Sequence, residues 1–139
     1  MYLLDTNVVS ELRKIKTGRA NLHVKMWSEN ESLESTFLSV ITIMELEQGT
    51  LLMERRDLAQ GAMLRTWLDG QVLREFDGRV LPVDMQIAKR CAALHVPAPC
   101  SYRDSLIAAT ALVHSMTVVT RNVSNFAPCG VKVFNPWEA

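Results

Sequence analysis

The chain has 139 residues, of which 48% are hydrophobic and 22% are charged, and its 15 basic residues balance its 15 acidic ones. This length and composition predict one domain over residues 1–139 with its own core, and they exclude a highly charged disordered chain. The formal net charge of zero also excludes a protein that holds nucleic acid by bulk positive charge.

Short β-type runs alternate with longer helical patterns along the chain. Strands are predicted at Tyr2–Leu4, Thr36–Leu38, Val80–Val83, Thr117–Val119 and Val131–Phe134. Helices are predicted at Asn7–Lys16, Leu22–Trp27, Ile43–Met53, Leu58–Arg74, Met85–His95 and Tyr102–His114. The alternation predicts an α/β fold with a mainly parallel central sheet flanked by helices.

The apolar segments do not indicate a membrane protein. No apolar run approaches the roughly 20 residues that a spanning helix needs, and Asp5 interrupts the N-terminal run too early for a signal peptide. We therefore expect a cytoplasmic protein without membrane contact. The three cysteines, Cys91, Cys100 and Cys129, fit no zinc-binding spacing, and we expect small buried hydrophobic side chains there.

Acidic residues recur where predicted strands end or predicted helices begin. These residues are Asp5, Glu45, Asp84 and Asp104. Because strand ends and helix starts meet at one edge of a parallel sheet, where ligands bind, residues far apart in sequence are expected to converge there. Helix capping explains the same positions: Thr42-x-x-Glu45 and Ser101-x-x-Asp104 resemble capping boxes, and aspartate is a common N-cap. The residue pattern leaves both interpretations open, and we interpret Asp84 as an N-cap.

Convergence of Asp5, Glu45 and Asp104 would have an electrostatic consequence. Carboxylates about 4 Å apart repel by up to about 4 kcal/mol per pair at an effective dielectric constant near 20. Proton uptake or a divalent cation must relieve such repulsion. A carboxylate-only site selects hard cations, Mg²⁺ or Mn²⁺.

Several other residues have structural interpretations. We expect Trp27, Trp67 and Trp137 to anchor the core or an interface, and Glu11 to lie on a solvated helix face. Surface exposure is also the preferred interpretation of the basic residues Arg13, Lys14, Lys16 and Arg103.

Six segments, taken in order and spacing, identify a family. They are Leu3–Glu11, Leu38–Leu46 with Gly49 shortly after, Gly78–Asp84, Asp104–Ala111, Val119–Asn122 and Val133–Trp137. In these segments the whole chain resembles the PIN-domain nucleases, specifically the VapC-type toxins of bacterial toxin–antitoxin pairs and their FitB-like branch.

The resemblance assigns roles to particular residues. It implies that Asp5, Glu45 and Asp104 bind the metal and that Asn122 is the fourth catalytic position. Family members often carry acids in the stretch that here reads Thr120–Phe126, whereas Asn122 and Asn125 are amides. An amide offers one neutral oxygen, so a second metal ion would be held weakly. The resemblance also implies that Thr6, Asn7, Thr120 and Arg121 contact the substrate or support the carboxylates.

The implied function is that of a toxin that hydrolyses RNA phosphodiester bonds as a Mg²⁺- or Mn²⁺-dependent endoribonuclease. The implied partners are a cognate antitoxin and a second copy of the chain, with DNA contacted only through the antitoxin. A binding module that acts mainly in a DNA-binding toxin–antitoxin complex is the alternative, favoured by the missing fourth carboxylate. A phosphoryl-transfer domain with Asp5 as nucleophile is weaker, because such domains usually carry an acid where Asn7 stands.

Overall fold

Five parallel strands form one sheet in the structure, a computed structural model that describes residues 1–139. The strands are β1 (Tyr2–Leu4), β2 (Thr36–Ser39), β3 (Val80–Leu81), β4 (Thr117–Val119) and β5 (Val133–Phe134). Their order is β3-β2-β1-β4-β5, and all neighbouring pairs are parallel. The predicted α/β fold with a parallel sheet is confirmed.

Helices connect the strands. They are α1 (Thr6–Leu12), α2 (Leu22–Asn30), α3 (Val40–Arg56), α4 (Leu58–Trp67), α5 (Leu73–Glu75), α6 (Met85–Leu94), α7 (Tyr102–His114) and α8 (Val123–Phe126). A π-helical turn over Leu68–Val72 joins α4 to α5, so the helix predicted from 58 to 74 is one continuous helical segment. No helix combines the length and apolarity that crossing a membrane requires.

The start of α3 differs from the prediction. It begins at Val40 because the Ser39 side chain accepts a hydrogen bond from the Ile41 amide and caps the helix. Glu45 consequently lies in the second turn, and the predicted capping box with Thr42 is wrong. Thr42 is fully buried and its hydroxyl has no hydrogen-bond partner.

Two predicted caps are confirmed. Asp84 accepts a hydrogen bond from the Ile87 amide at 2.9 Å and begins α6. The Ser101 hydroxyl accepts from the Asp104 amide at 3.4 Å and begins α7. In both helices a side chain satisfies a backbone donor that the first turn leaves free.

The sheet separates two main clusters of core residues. Successive strand residues point to opposite faces, so Leu4 joins the cluster with Val8 and Leu38, whereas Leu3 joins the cluster with Ile107 and Ala108. Small buried alanines on α7 let this helix lie close to the sheet and place its first turn at the sheet edge. The tryptophans pack against the first cluster as predicted: Trp27, Trp67 and Trp137.

Two predictions about buried groups are wrong. Glu11 is only 9% exposed, since it accepts hydrogen bonds from the Asn21 amide at 2.8 Å and from Lys14 Nζ at 3.2 Å. This carboxylate joins the end of α1 to the start of α2. Cys91 is buried as expected, but Cys100 is exposed; no cysteine forms a disulfide.

Candidate functional site

The sheet order reverses between β1 and β4, and the candidate site lies where these strands end. In the sheet, β2 and β3 lie on one side of β1, and β4 and β5, which come later in the chain, lie on the other side. Ligands of open parallel sheets bind in the crevice beyond the strands at this point. Asp5 follows β1 directly, and Thr120 follows β4.

Asp5 is almost completely enclosed, with 5% of its surface exposed. One carboxylate oxygen, Oδ1, accepts a hydrogen bond from the Thr6 amide at 2.8 Å. The other, Oδ2, accepts from Thr120 Oγ1 at 2.8 Å and from Asn7 Nδ2 at 3.2 Å. Three donors therefore fix this carboxylate in one orientation.

The polar residues around Asp5 also hold one another. Asn7 Nδ2 lies 3.3 Å from Thr120 Oγ1, and Asn7 Oδ1 accepts from the Arg121 amide at 3.3 Å. Thr120 Oγ1 accepts a further hydrogen bond from the Asn122 amide at 3.0 Å. The structure thus places Asn7 and Thr120 in direct support of Asp5.

Arg121 lies at the outer rim of this network. It is exposed, and its guanidinium carbon lies 5.3 Å from the ring centroid of Trp137. The cation–π contact holds the positive charge in place without neutralising it. The positive charge of Arg121 also lies close enough to Glu11 to help lower the pKa of that carboxyl.

Glu45 comes from the second turn of α3. Its Oε1 accepts a hydrogen bond from Thr6 Oγ1 at 2.8 Å, and its Oε2 lies 3.7 Å from Arg103 Nη1. Arg103 also donates from Nη2 to Gln48 Oε1 at 3.1 Å. Although exposed as predicted, Arg103 thus contributes a positive charge beside one of the three carboxylates.

Asp104 is half-buried in the first turn of α7. Burial, and then the charge of Glu45, raise the pKa of Asp104, although the polar side chain of Asn125 opposes them. Burial also raises the pKa of Asp5; its hydrogen bonds oppose this, and the charges of Asp104 and Glu45 add to it. Each of the three carboxylates therefore lies within electrostatic reach of the other two.

The donor chemistry fits a hard divalent cation. The three groups supply only oxygen ligands. Burial, and then mutual repulsion, raise the pKa values of Asp5 and Asp104 and so disfavour their ionised forms, which a bound cation would stabilise. In this conformation, however, no three His, Cys, Asp or Glu side chains are close enough together to hold a metal ion. Glu45 is instead engaged by Thr6 and Arg103. Asp5, Glu45 and Asp104 therefore form an acidic cluster whose carboxylates lie near one another without sharing one metal position.

The two asparagines after Arg121 occupy different places. The Asn122 side chain is exposed and makes no hydrogen bond to a carboxylate; only its backbone amide joins the network, through Thr120. The Asn125 side chain, one turn further along α8, lies close enough to Asp104 to lower the pKa of that carboxyl. Sequence reasoning noted that Asn125 is an amide but did not place it in the site. The available signal was the family pattern over Thr120–Phe126, in which both amides stand where acids are common.

Known proteins resemble this chain over its whole length. The model of the PIN domain matches residues 2–127. The VapC ribonuclease Y4jK of Sinorhizobium fredii is 39% identical, over 99% of both chains. The crystal structure of FitAcB from Neisseria gonorrhoeae matches with a TM-score of 0.90 and 37% identity, over 100% of both chains. A toxin–antitoxin complex from Klebsiella pneumoniae matches with a TM-score of 0.65 and 27% identity, over 98% of both chains.

Proposed function

The chain belongs to the PIN-domain family, and from this membership and the geometry of its acidic cluster we propose that it is a toxin acting as a metal-dependent endoribonuclease. The observation that carries the proposal is the convergence of Asp5, Glu45 and Asp104 from three separate elements. Helix capping alone does not require these groups to share one region. The ribonuclease name of a relative that is 39% identical supports the choice of RNA.

Asp5, Glu45 and Asp104 are the proposed metal ligands, and Asn122 is the proposed fourth catalytic residue. Mg²⁺ or Mn²⁺ bound there would supply a Lewis acid for phosphodiester hydrolysis. Asp5 is already oriented by its three donors, so it contributes a preformed part of the site. Glu45 is held by Thr6 and Arg103, so a bound cation would compete with Arg103 for its Oε2.

The remaining polar groups act on the RNA backbone and on the carboxylates. Thr6, Asn7 and Thr120 hold the carboxylates through hydrogen bonds. Arg121 would contact a phosphate, because its guanidinium is exposed and fixed over Trp137. No side chain is needed as a nucleophile, since water serves that purpose.

The proposed partners are an antitoxin, an RNA substrate and a second copy of the chain. The similarity to a toxin–antitoxin complex supports the antitoxin. The balanced net charge favours short single-stranded RNA regions over a long duplex. DNA is contacted only through the antitoxin.

A binding module with little catalysis is the second candidate. Two observations favour it: amides at positions 122 and 125, and the pairing of Glu45 with Arg103. Such a protein would hold its antitoxin in a DNA-binding complex without cleaving RNA.

Three conservative variants test the enzyme. Asp5→Asn, Glu45→Gln and Asp104→Asn remove a charge each but keep the shape, and each should abolish Mg²⁺- or Mn²⁺-stimulated cleavage of single-stranded RNA and toxicity. Circular dichroism should show a normal fold. Asp84→Asn is the matched control, since Asp84 is an exposed N-cap and asparagine caps as well as aspartate. Full cleavage by the three site variants would contradict the proposal, and a wild-type protein that binds antitoxin but never cleaves RNA would favour the binding module.

A further inference from the structure

Arg103 is the basic residue that forms an ion pair with the acidic cluster. Its Nη1 lies 3.7 Å from Glu45 Oε2, and no other ion pair of the chain includes a carboxylate of the cluster. Glu45 in turn lies within electrostatic reach of Asp5 and Asp104. One guanidinium is therefore built into a region that otherwise concentrates negative charge.

Two residues of α3 hold this guanidinium. Gln48 Oε1 accepts a hydrogen bond from Arg103 Nη2 at 3.1 Å, and Glu45 lies one turn earlier on the same face of α3. The side chain of Arg103 thus reaches from α7 across to α3. An arginine carries five N–H donors, and these contacts use two at most. Because the side chain is also 51% exposed, donors remain free for a ligand.

Helix stability does not explain a positive charge at this position. Arg103 is the second residue of α7, and the helix dipole favours negative charge in the first turn. An exposed ion pair at 3.7 Å also contributes little to stability. The same place suits an anion, because the guanidinium and the N-terminus of α7 both present positive potential there.

The charges of the proposed site call for a positive side chain beside the carboxylates. Three ionised carboxylates carry three negative charges, of which a divalent cation offsets two. A phosphodiester adds another negative charge, so it would approach a site that is still negative. The single charge of Arg103 offsets the one that remains, which lowers the repulsion that a phosphate would meet.

We propose that Arg103 binds a phosphate oxygen of the RNA substrate beside Glu45 and Asp104, and that α3 holds its guanidinium ready in the free protein. The proposal rests on the ribonuclease function proposed above and adds a substrate-binding residue to it. A guanidinium pairs with phosphate through two parallel hydrogen bonds, which an ammonium group cannot do. Loss of the Glu45 contact to a bound cation would leave Arg103 at the site, still held by Gln48.

The test compares RNA with and without single backbone charges. A short fluorescein-labelled single-stranded RNA, and versions with one neutral methylphosphonate at each position in turn, are titrated with protein in Ca²⁺, and dissociation constants are read from anisotropy. Arg103→Gln should weaken binding of the unmodified RNA roughly 10- to 100-fold, and Arg103→Lys should restore only part of the affinity. At one position, the methylphosphonate should weaken binding by the wild type but not by the Gln variant.

The matched control is Arg90→Gln. Arg90 is exposed on α6 and lines a cleft with Val113, which lies roughly 13 Å along α7 from Asp104. This variant removes the same charge away from the carboxylates and should bind RNA like the wild type. Calorimetry with Mn²⁺ alone is the second readout. Arg103→Gln should bind Mn²⁺ like the wild type or up to about 5-fold more tightly, because no guanidinium competes for Glu45.

The outcomes separate this proposal from the function that it rests on. Weaker binding of both Mn²⁺ and RNA by Arg103→Gln would show that Arg103 shapes the acidic cluster, and it overturns the phosphate contact. Three other results overturn it even if RNA is cleaved: unchanged RNA affinity, equal losses in the Arg90 and Arg103 variants, or the same response of the wild type and Arg103→Gln to every methylphosphonate. A response at one phosphate that needs Arg103, in a protein that cleaves no RNA, supports the contact and rejects the ribonuclease.

Discussion

Thr120 donates a hydrogen bond of 2.8 Å from Oγ1 to Oδ2 of Asp5, a residue 115 positions away in the chain. The bond joins the ends of β1 and β4, the two strands between which the sheet order reverses. The same hydroxyl accepts hydrogen bonds from Asn7 Nδ2 and the Asn122 amide. Because one donor and two acceptor positions are all used, this hydroxyl is the central connection of the site.

Replacing Thr120 with valine keeps the shape of the side chain but removes the hydroxyl. The buried oxygen of Asp5 loses a donor, so we expect the free energy of unfolding to fall by about 1–3 kcal/mol. The pKa of Asp5 should rise further, because the hydrogen bond from Thr120 now lowers it. Urea unfolding measures the loss, and Thr120→Ser is the control that should retain most of the stability. A valine variant as stable as wild type would show that the hydroxyl does not hold the carboxylate.

Neutralising Asp104 should not destabilise the metal-free protein. Burial and the charge of Glu45 raise its pKa, which means that the folded state disfavours the ionised form. Asp104→Asn should therefore leave the free energy of unfolding in EDTA unchanged or raise it by up to about 1 kcal/mol, while cleavage of RNA is lost. Asp84→Asn provides the comparison, with both stability and cleavage retained. A clear loss of stability on changing Asp104 would instead identify a structural carboxylate.

The sequence predicts the bounds of helices and strands well where the capping residue and the hydrophobic pattern indicate the same boundary. For α7 the predicted bounds, Tyr102–His114, are those of the structure, because a serine cap precedes a regular helical pattern. The β-branched run Thr117–Val119 gives β4 equally well. The start of α3 was misplaced because Thr42-x-x-Glu45 resembles a capping box, whereas the cap by Ser39 decides the boundary.

For the candidate site, the topology of a parallel sheet predicts which acidic residues approach one another. The ends of parallel strands and the starts of the following helices meet at one edge of the sheet. This rule alone brings Asp5, which follows β1, near Asp104 in the first turn of α7. No comparable rule predicts from sequence which side chains meet across a loop. The burial of Glu11 depends on the Asn21 amide ten residues later, and the stacking of His95 on Tyr102 depends on the path of the α6–α7 connection.

Glu11 should make stability depend on pH in the acidic range. Burial raises the pKa of its carboxyl, but the hydrogen bonds from the Asn21 amide and Lys14 outweigh burial and hold the pKa below its usual value of 4.5. The folded state then binds fewer protons than the unfolded state, so the contribution is present above about pH 4.5 and is lost as the pH falls below it. Glu11→Gln should cost about 1–3 kcal/mol near neutral pH, and the difference from wild type should shrink below pH 4.5.

The control for this pH dependence is Glu29→Gln. Glu29 is exposed and lies 4.0 Å from Lys25 in a surface pair on α2. Such pairs contribute little, so the free energy of unfolding of this variant should match that of the wild type near neutral pH. A Glu11 variant whose deficit stays constant down to the lowest pH would show that packing, and not the ionised carboxylate, matters.

Replacing two glycines in neighbouring helices with alanine should change the stability of the protein in opposite directions. A Cβ at Gly61 would lie 2.5 Å from the Glu54 Cα, so Gly61→Ala must push α4 away from α3 and should cost about 1–3 kcal/mol. A Cβ at Gly49 meets nothing within 4 Å, so Gly49→Ala should stabilise α3 by about 0.5–1 kcal/mol. Thermal unfolding measures both. Equal effects would show that the two helices do not approach as closely as the structure has them.

A fourth carboxylate should strengthen cation binding, and its position can be located. The Asn125 side chain lies close enough to Asp104 to lower the pKa of that carboxyl, so Asn125→Asp places a new negative charge beside the acidic cluster. We expect lower stability in EDTA and roughly 10-fold tighter binding of Mn²⁺ by calorimetry. Asn122→Asp adds the same charge where the side chain is exposed and touches no carboxylate, and it should change Mn²⁺ affinity less. If only the change at Asn122 tightens binding, then the fourth position is the one that the family resemblance implies, and Asn125 merely orients Asp104.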